Sequence, residues 1–332
     1  MKRIFVFILL ITLMLVPGRT YGQEWPELRL MFWNLENFFD YFDDGNGESD
    51  TEFSSRGPRH WTKKRFEAKC NSVAKTILWL AGEAGDLPDV VAFAEVENRF
   101  VLKRLVTSTA LKKLDYEIVH YESPDPRGID CALLYRSSRL ELQNSKPCRV
   151  SAPDLLTRDI LLAQFLTPSG DSLAVLVNHH PSKYGGGETY WRREIAVNRL
   201  KELSDSLRTE GWVCQCALGD FNDTSDNPLF GRLSPSLRLC RYGQPEAAAS
   251  RYLHRGSIRF NGEWQLIDLC FVSRELAGSS VFRAVAVPFL TERDAAHSGD
   301  RPLRTYSGPR YLGGVSDHLP IIVTVFSEKY QL

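Results

Sequence analysis

The chain alternates short apolar runs with polar segments, and the period inside each run separates strands from helices. Leu28 to Trp33 reads as an apolar strand that ends at Asn34-Leu35-Glu36-Asn37. The stretch from Asp40 to Pro58 is rich in Asp, Glu, Gly and Ser and reads as a long loop. Phe66, Cys70, Val73, Ile77 and Leu80 then recur at helical spacing and predict an amphipathic helix. Asp89 to Ala94 predicts a buried strand ending at Glu95, Arg99 to Leu114 a weaker helix, and Tyr116–His120 and Ile129–Tyr135 two further strands. Strands follow at Leu140–Ser145, Ile160–Leu166 and Leu173–Val177, the last ending at Asn178-His179-His180. Ala196, Leu200, Leu203 and Leu207 mark a third helix, and Trp212 to Leu218 a strand ending at Gly219-Asp220-Phe221-Asn222. Arg238–Arg255 is polar and irregular, and Gln265–Val272 and Val281–Pro288 are late strands. Thr291–Gly314 is a long polar loop before a final strand, His318–Phe326. Neither a repeat nor a linker interrupts this series, so a single layered α+β domain is expected.

The N-terminus stands apart from that pattern. Lys2 and Arg3 precede an apolar run from Ile4 to Val16, Pro17-Gly18 break it, and Thr20-Tyr21-Gly22 offers small residues at both cleavage-site positions. This predicts a secretory signal peptide, residues 1–22, cut before Gln23, and a mature domain of residues 23–332 that is secreted or periplasmic. The run is shorter than the roughly 20 apolar residues of a bilayer span, and no later stretch is long enough, so no transmembrane segment is expected in the mature chain. The seven cysteines show no zinc-site spacing; their odd number and apolar surroundings predict mostly free, buried thiols. Equal numbers of basic and acidic residues, 41 each, argue against a non-specific nucleic-acid binder but leave room for local charge at an enzyme site.

The candidate chemistry sits at strand ends. Asn34 and Glu36, Glu95, Asn178 and His179, Asp220 and Asn222, and Asp317 and His318 close or open five separate strands. If those ends share one rim, several carboxylates converge there, and they repel one another unless something positive sits among them. A divalent cation is the expected answer.

These segments resemble the endonuclease/exonuclease/phosphatase superfamily. The resemblance is carried by Phe-Trp-Asn-Leu-Glu-Asn (32–37), Ala-Glu-Val-Glu-Asn (94–98), Arg-Gly-Ile-Asp (127–130) and Val-Asn-His-His-Pro-Ser-Lys (177–183). It continues through Leu-Gly-Asp-Phe-Asn-Asp (218–223), Leu-Ile-Asp-Leu (266–269) and Val-Ser-Asp-His-Leu-Pro (315–320), in the family's order. It implies a four-layer α/β/β/α sandwich: two packed, mostly antiparallel sheets with helices on both outer faces. Glu95 is then the principal ligand of Mg²⁺ (or Mn²⁺), a hard cation that suits carboxylate oxygen, and Glu36 lies near that metal. Asp220 draws the proton from the attacking water, and Asn222 orients that water or holds a phosphate oxygen. His318 acts at the phosphate, oriented and kept cationic by Asp268, with Asp317 near the metal or the reacting group. His179, rather than His180, is the candidate general acid for the leaving oxygen. Asn34 and Asn178 contact or support the substrate. Of the basic residues Arg127, Lys183, Arg192 and Arg193, Arg127 and Arg193 are assigned to it.

Three features receive blander readings. Asn37 reads as a turn residue and Glu97 as a surface residue. The acidic segment Asp44, Asn46, Glu48, Asp50 lacks the sixth-place glycine and twelfth-place glutamate of a calcium loop and reads as a solvated loop. The expected activity is hydrolysis of phosphodiester bonds, first in DNA or RNA, by a monomeric exported endonuclease or exonuclease. Its rivals are a phosphodiesterase or phosphatase acting on lipid or inositol phosphate headgroups, with Tyr184, Tyr190 and Trp191 as candidate contacts, and a catalytically silent binding protein.

Overall fold

A computed structural model of the protein describes residues 27–45, 47–243 and 253–325. The expected signal peptide, part of the irregular Arg238–Arg255 stretch and the end of the final strand at Phe326 lie outside the described residues. The first half of the chain folds as β1 (Leu28–Phe38), α1 (Lys63–Ala84), β2 (Val90–Val96), α2 (Arg99–Ser108), β3 (Tyr116–His120), β4 (Asp130–Arg136), β5 (Glu141–Cys148), β6 (Ile160–Leu166) and β7 (Ser172–His179). Then come α3 (Tyr190–Thr209), β8 (Gln215–Asp220), and the short β9 (Leu237–Leu239), β10 (Arg241–Tyr242), β11 (Leu253–His254), β12 (Ile258–Phe260) and β13 (Glu263–Gln265). The chain continues through β14 (Asp268–Ser273), the short α4 (Arg274–Ala277), β15 (Ser280–Val285), β16 (Thr291–Arg293), β17 (Asp300–Pro302), β18 (Tyr306–Ser307), β19 (Arg310–Tyr311) and β20 (Ile321–Val325).

Two sheets carry the architecture. One runs β10-β15-β20-β1-β2-β4-β3, with β11 also on β15; the other runs β5-β6-β7-β8-β14-β9. Strand alternation explains the layering. On β1 and β2, Leu28, Leu30, Phe32, Val90, Ala92 and Ala94 join the core shared with the second sheet. Their neighbours Met31, Trp33, Leu35, Val91 and Phe93 face Phe66, Val73 and Ile77 of α1 and Val101, Leu102 and Leu105 of α2. Strands buried on both faces read as continuous apolar runs, which is why they stood out in the sequence. Ala196, Val197, Leu200, Leu203 and Leu207 of α3 close the second sheet's outer face. The order is therefore helix, sheet, sheet, helix, as expected. Fully burying an aliphatic or aromatic side chain of this kind contributes about 1.5–3 kcal/mol.

Several boundaries differ from the sequence expectation. β1 does not stop at Trp33 but continues through Asn34 to Phe38. The expected Arg99–Leu114 helix ends at Ser108, and a 3₁₀ turn, Ala110–Lys113, follows. The long polar stretch after Thr291 is folded into two small hairpins, β16–β17 and β18–β19. Strands of two or three mostly polar residues have too few positions to show a period. The seven cysteines are free and buried, as expected.

Topology decides where the chemistry lies. β1 and β2 are parallel, as are β7 and β8, so within each pair the strands end on the same edge. β14 runs antiparallel to β8, with Asp268 opposite Asp220, and β20 antiparallel to β1, with Ile321 opposite Phe32. The residues that open β14 and precede β20 therefore meet those that close β8 and β1. One rim collects all six strand ends.

Candidate active site

Backbone irregularity aims the rim residues. The pairing of β1 with β2 shifts register between Asn34 and Phe38, and that of β2 with β4 between Phe93 and Val96. Within these bulges Glu36, Asn37 and Glu95 take left-handed backbone angles, φ 45, 55 and 61°, and Asn222 past β8 does the same at 50°. Such conformations cost a non-glycine residue of order 1–3 kcal/mol and gather where a side chain must be re-aimed. Gly219 answers a different need: a Cβ there would sit 2.1 Å from the Asn178 carbonyl oxygen, so the β7–β8 approach excludes any side chain.

The rim surrounds a cavity of about 490 Å³ whose walls include Asn34, Glu36, Glu95, Arg127, Arg158, His179, Tyr184, Arg192, Asp220, Asn222, Arg304, Asp317 and His318. Asp220 is held from two sides: Asn34 Nδ2 donates to its Oδ2 at 3.0 Å, and the Asn222 backbone N–H to its Oδ1 at 2.8 Å. Burial drives its pKa up to about 7, the His318 charge pulling down and the Asp268 carboxylate pushing up. His318 Nδ1 lies 2.7 Å from Asp268 Oδ2, and its Nε2 faces the cavity, 3.8 Å from Asp220 and 3.9 Å from Asp317. Burial alone would depress this imidazole, but Asp268, Asp220 and Asp317 outweigh it and hold the pKa well above the ordinary histidine value.

His179 is equally buried and points its Nε2 at Glu95, 3.8 Å away, and at Asp220, 3.7 Å away. Burial and then the charges of Arg158, Arg127 and His318 drive its pKa well below the ordinary value. Its Nδ1 is buried without a partner. The tautomer with hydrogen on Nε2 therefore leaves no orphaned donor. A neutral ring offers a hydrogen bond from Nε2, a different part from the general acid expected of His179.

Glu95 is built to stay ionised. Burial pushes its carboxyl up, but Arg127 at 3.3 Å, the Asn37 N–H at 2.8 Å and the more distant His318 and Arg158 hold it below the usual range. Those two donors both bind Oε2, so Oε1 is left facing His179 and the cavity, without a hydrogen bond from any described residue. An ionised carboxylate with one uncommitted oxygen suits a hard divalent cation. The set Asp220, Asp268 and His318 also brings ligand atoms within 4.8 Å of one another. There, however, the imidazole nitrogen is committed to Asp268 and the ring is cationic, which rules it out as a ligand.

Other expected residues fall elsewhere. Glu36 lines the cavity, but Arg304 Nε donates to its Oε1 at 2.8 Å and the Thr305 N–H to its Oε2 at 2.9 Å. Both oxygens are taken, which counts against direct ligation. Burial and Asp317 raise its pKa to about 7 against the pull of Arg304 and Lys69. Asn178 is fully buried and turned back onto its own strand, donating to the Leu176 carbonyl at 2.9 Å, with His180 Nε2 3.3 Å from its Oδ1. Arg193 is buried on Asp223 at 3.2 Å and the Ser182 carbonyl at 3.1 Å. Neither Asn178 nor Arg193 reaches the cavity, so both depart from the substrate-contact expectation. Strand parity on the regular β7 and the depth of α3 under the β7 loop decide this, and neither is readable from residue type.

Several residues in or directly behind the wall carried no sequence signal for the site. Asn37, taken as a turn residue, gives Glu95 its N–H and accepts from Arg127 Nη2 at 2.6 Å. Arg158 is buried, clamped by Asp125 at 2.8 Å and the His180 carbonyl at 2.7 Å. Arg304 joins Glu36 to Asp317, which it meets at 3.1 Å. Lys69, on the buried face of α1, donates to the Glu36 carbonyl at 2.8 Å and to Thr305 Oγ1 at 2.9 Å; burial lowers its pKa to about 8 despite Glu36 and Glu95.

Comparison with known proteins agrees with this fold. Nocturnin of Xenopus laevis is 31% identical over 169 residues, covering 46% of this chain and 40% of that protein. The chain spans about half or less of the curated relatives it matches. Among solved structures, the human nocturnin catalytic domain with bound sulfate superposes with a TM-score of 0.57 at 18% identity, covering 91% of this chain and 95% of that one. A mannosyl-6-phosphatase of Bacteroides thetaiotaomicron gives 0.54 at 16% identity, covering 90% and 100%. A family model matches residues 29–327, nearly the whole described chain. With its strands, bulges and rim residues in place, the chain belongs to the endonuclease/exonuclease/phosphatase family.

Proposed function

We propose that this protein is an exported, divalent-cation-dependent phosphodiesterase that cleaves nucleic acid, one nucleotide occupying the cavity. The observation that carries the reading is the convergence on one cavity of an ionised carboxylate with a free oxygen (Glu95), a buried carboxylate poised near neutrality (Asp220) and an imidazolium fixed by a carboxylate (His318). Members of this family hydrolyse phosphoester bonds.

Glu95 would hold Mg²⁺ or Mn²⁺ through Oε1, and the bound ion would neutralise charge on the phosphoryl oxygens and acidify water. Asp220, steadied by Asn34 and Asn222, accepts a proton from the water as its oxygen attacks phosphorus. The ester P–O bond breaks on the opposite side, and the departing oxygen takes its proton from solvent. His318 offers its cationic Nε2–H to the charge that builds on the phosphoryl group, and Asp268 keeps that ring oriented and charged. His179 adds a neutral N–H donor. No covalent enzyme intermediate is needed. Arg127, Arg158, Arg192 and Arg304 supply a cationic wall that the zero net charge of the chain concealed.

Tyr184 and Leu156, 92% and 65% exposed at the cavity mouth beside Arg192, form a surface on which a splayed base can stack. A pocket of this volume suits a single nucleotide or a small phosphate ester rather than a continuous duplex. The test is a panel of supercoiled DNA, RNA, bis-p-nitrophenyl phosphate, sphingomyelin and a sugar phosphate, with Mg²⁺, Mn²⁺ or chelator. Turnover of nucleic acid and the synthetic diester, lost in chelator, is expected. Turnover confined to sphingomyelin or the sugar phosphate would replace the substrate class. Undiminished rates in chelator would remove the cation. Export is checked by mass spectrometry of the secreted protein, with Gln23 expected at its N-terminus.

A further inference from the structure

On the far side of β2's end, two residues beyond Glu95, lies a second group of carboxylates. Glu97, Asp50 and Asp44 each present an oxygen within 4.8 Å of the others. Such a group alone is common on protein surfaces, but two of these three carboxylates are buried. Glu97 and Asp50 are each 1% exposed, which corrects the surface reading of Glu97 and sets Asp50 apart from a loop whose Asp44 and Glu48 are exposed as expected. Asp50 Oδ2 gathers the backbone N–H groups of Asp44 at 2.8 Å and Gly45 at 2.6 Å, so the loop is wound about its carboxylate.

The Glu97 side chain supplies the decisive detail. Its Oε2 accepts the Asp40 N–H at 2.7 Å, while its Oε1 is buried with no hydrogen-bond partner, and no described Lys, Arg or His forms an ion pair with it. A buried carboxylate oxygen left unsatisfied costs several kcal/mol in principle unless something fills the gap. We propose that Glu97, Asp50 and Asp44 form a second, structural cation site of the calcium type, independent of the catalytic one. All donors are hard oxygens. They come from an irregular loop and a strand end, which suits the large, loosely ordered coordination of Ca²⁺ better than the strict octahedron of Mg²⁺. The site's place gives it a task. The Glu48 N–H donates to the Pro126 carbonyl at 2.7 Å, and a Cβ on Gly47 would lie 2.6 Å from the Gly128 nitrogen. The acidic loop is thus seated on the turn that carries Arg127, and Arg127 holds Glu95 and Asn37. A cation here pins the loop that backs this wall of the cavity.

The test uses the full mature chain, stripped of metal and carrying Glu95→Gln so that the catalytic position is disabled. Titration calorimetry with CaCl₂ is expected to show one site with a dissociation constant of about 10⁻⁴–10⁻³ M, the range of extracellular calcium modules. The melting temperature should rise as calcium saturates it. Glu97→Gln added to that background should abolish both signals. Asp44→Asn, at an exposed position that tolerates substitution, should weaken binding about tenfold by removing one ligand charge. Absence of heat and of a melting shift at 10 mM (about tenfold above that constant), or binding unchanged in Asp44→Asn, would overturn the site while leaving the catalytic reading untouched.

Discussion

His179 and His318 border the same cavity, are equally buried, and are held in opposite charge states. His318 has a carboxylate at 2.7 Å and two more within 4 Å, and stays cationic. His179 has no hydrogen-bonded carboxylate, lies among cations, and stays neutral. Burial acts on both in the same direction; only a bonded carboxylate reverses the sign. The pair shows that residue type and depth do not assign a histidine's role. The partner on its other ring nitrogen does.

The comparison can be broken in order of expected effect. His318→Ala removes both the charge and the hydrogen bond and should lower kcat/KM by about 10³-fold, the upper range for one electrostatic group. Asp268→Asn leaves the ring but deletes the first cause that raises its pKa. The raised pKa of His318 means that the charged ring is fully present at low pH and lost only well above neutrality. In the variant that loss should move down toward neutral pH, giving a deficit of about 10²-fold at pH 8 that shrinks toward pH 6. A deficit equal at both pH values would show that Asp268 only positions. His179→Ala removes a neutral donor and should cost about tenfold, near the worth of one hydrogen bond, with the shape of the pH profile unaltered. Arg193→Ala should leave KM within about twofold while thermal melting shows a loss of about 1.5–3 kcal/mol, the worth of one charged hydrogen bond, since Asp223 keeps Lys183 at 2.7 Å and Asn227 at 2.7 Å.

The same contrast explains what the sequence disclosed. Runs such as Val90–Ala94 and Leu173–Val177 are apolar on both faces and announce buried strands. Their polar terminators, Glu95, His179 and Asp220, announce the rim. A lone carboxylate in the apolar run Leu266–Leu269 announces only that Asp268 needs a partner; that the partner is His318 came from the family resemblance. Arg304, Thr305 and Arg158 were not legible, because they reach the site from polar loops with no period and their partners are hundreds or tens of residues distant. Lys69 hid one position before Cys70 in a helix whose apolar stripe was otherwise clear. Glu36 was misjudged for the same reason: its identity fits a ligand, and only the fold reveals that Arg304 and the Thr305 N–H have already taken both oxygens.

The central claim is that Asp220 and His318, 3.8 Å apart, act on one phosphoryl group as a unit. Its most direct measurement is a double-mutant cycle on kcat/KM at pH 8, with Asp220→Asn, His318→Ala and the pair, using bis-p-nitrophenyl phosphate and Mg²⁺. Each single variant is predicted to lose at least about 10²-fold, and the pair little more than the worse single, as for groups that serve the same step. Wild-type rates in either single variant, or losses that simply multiply in the pair, would contradict it.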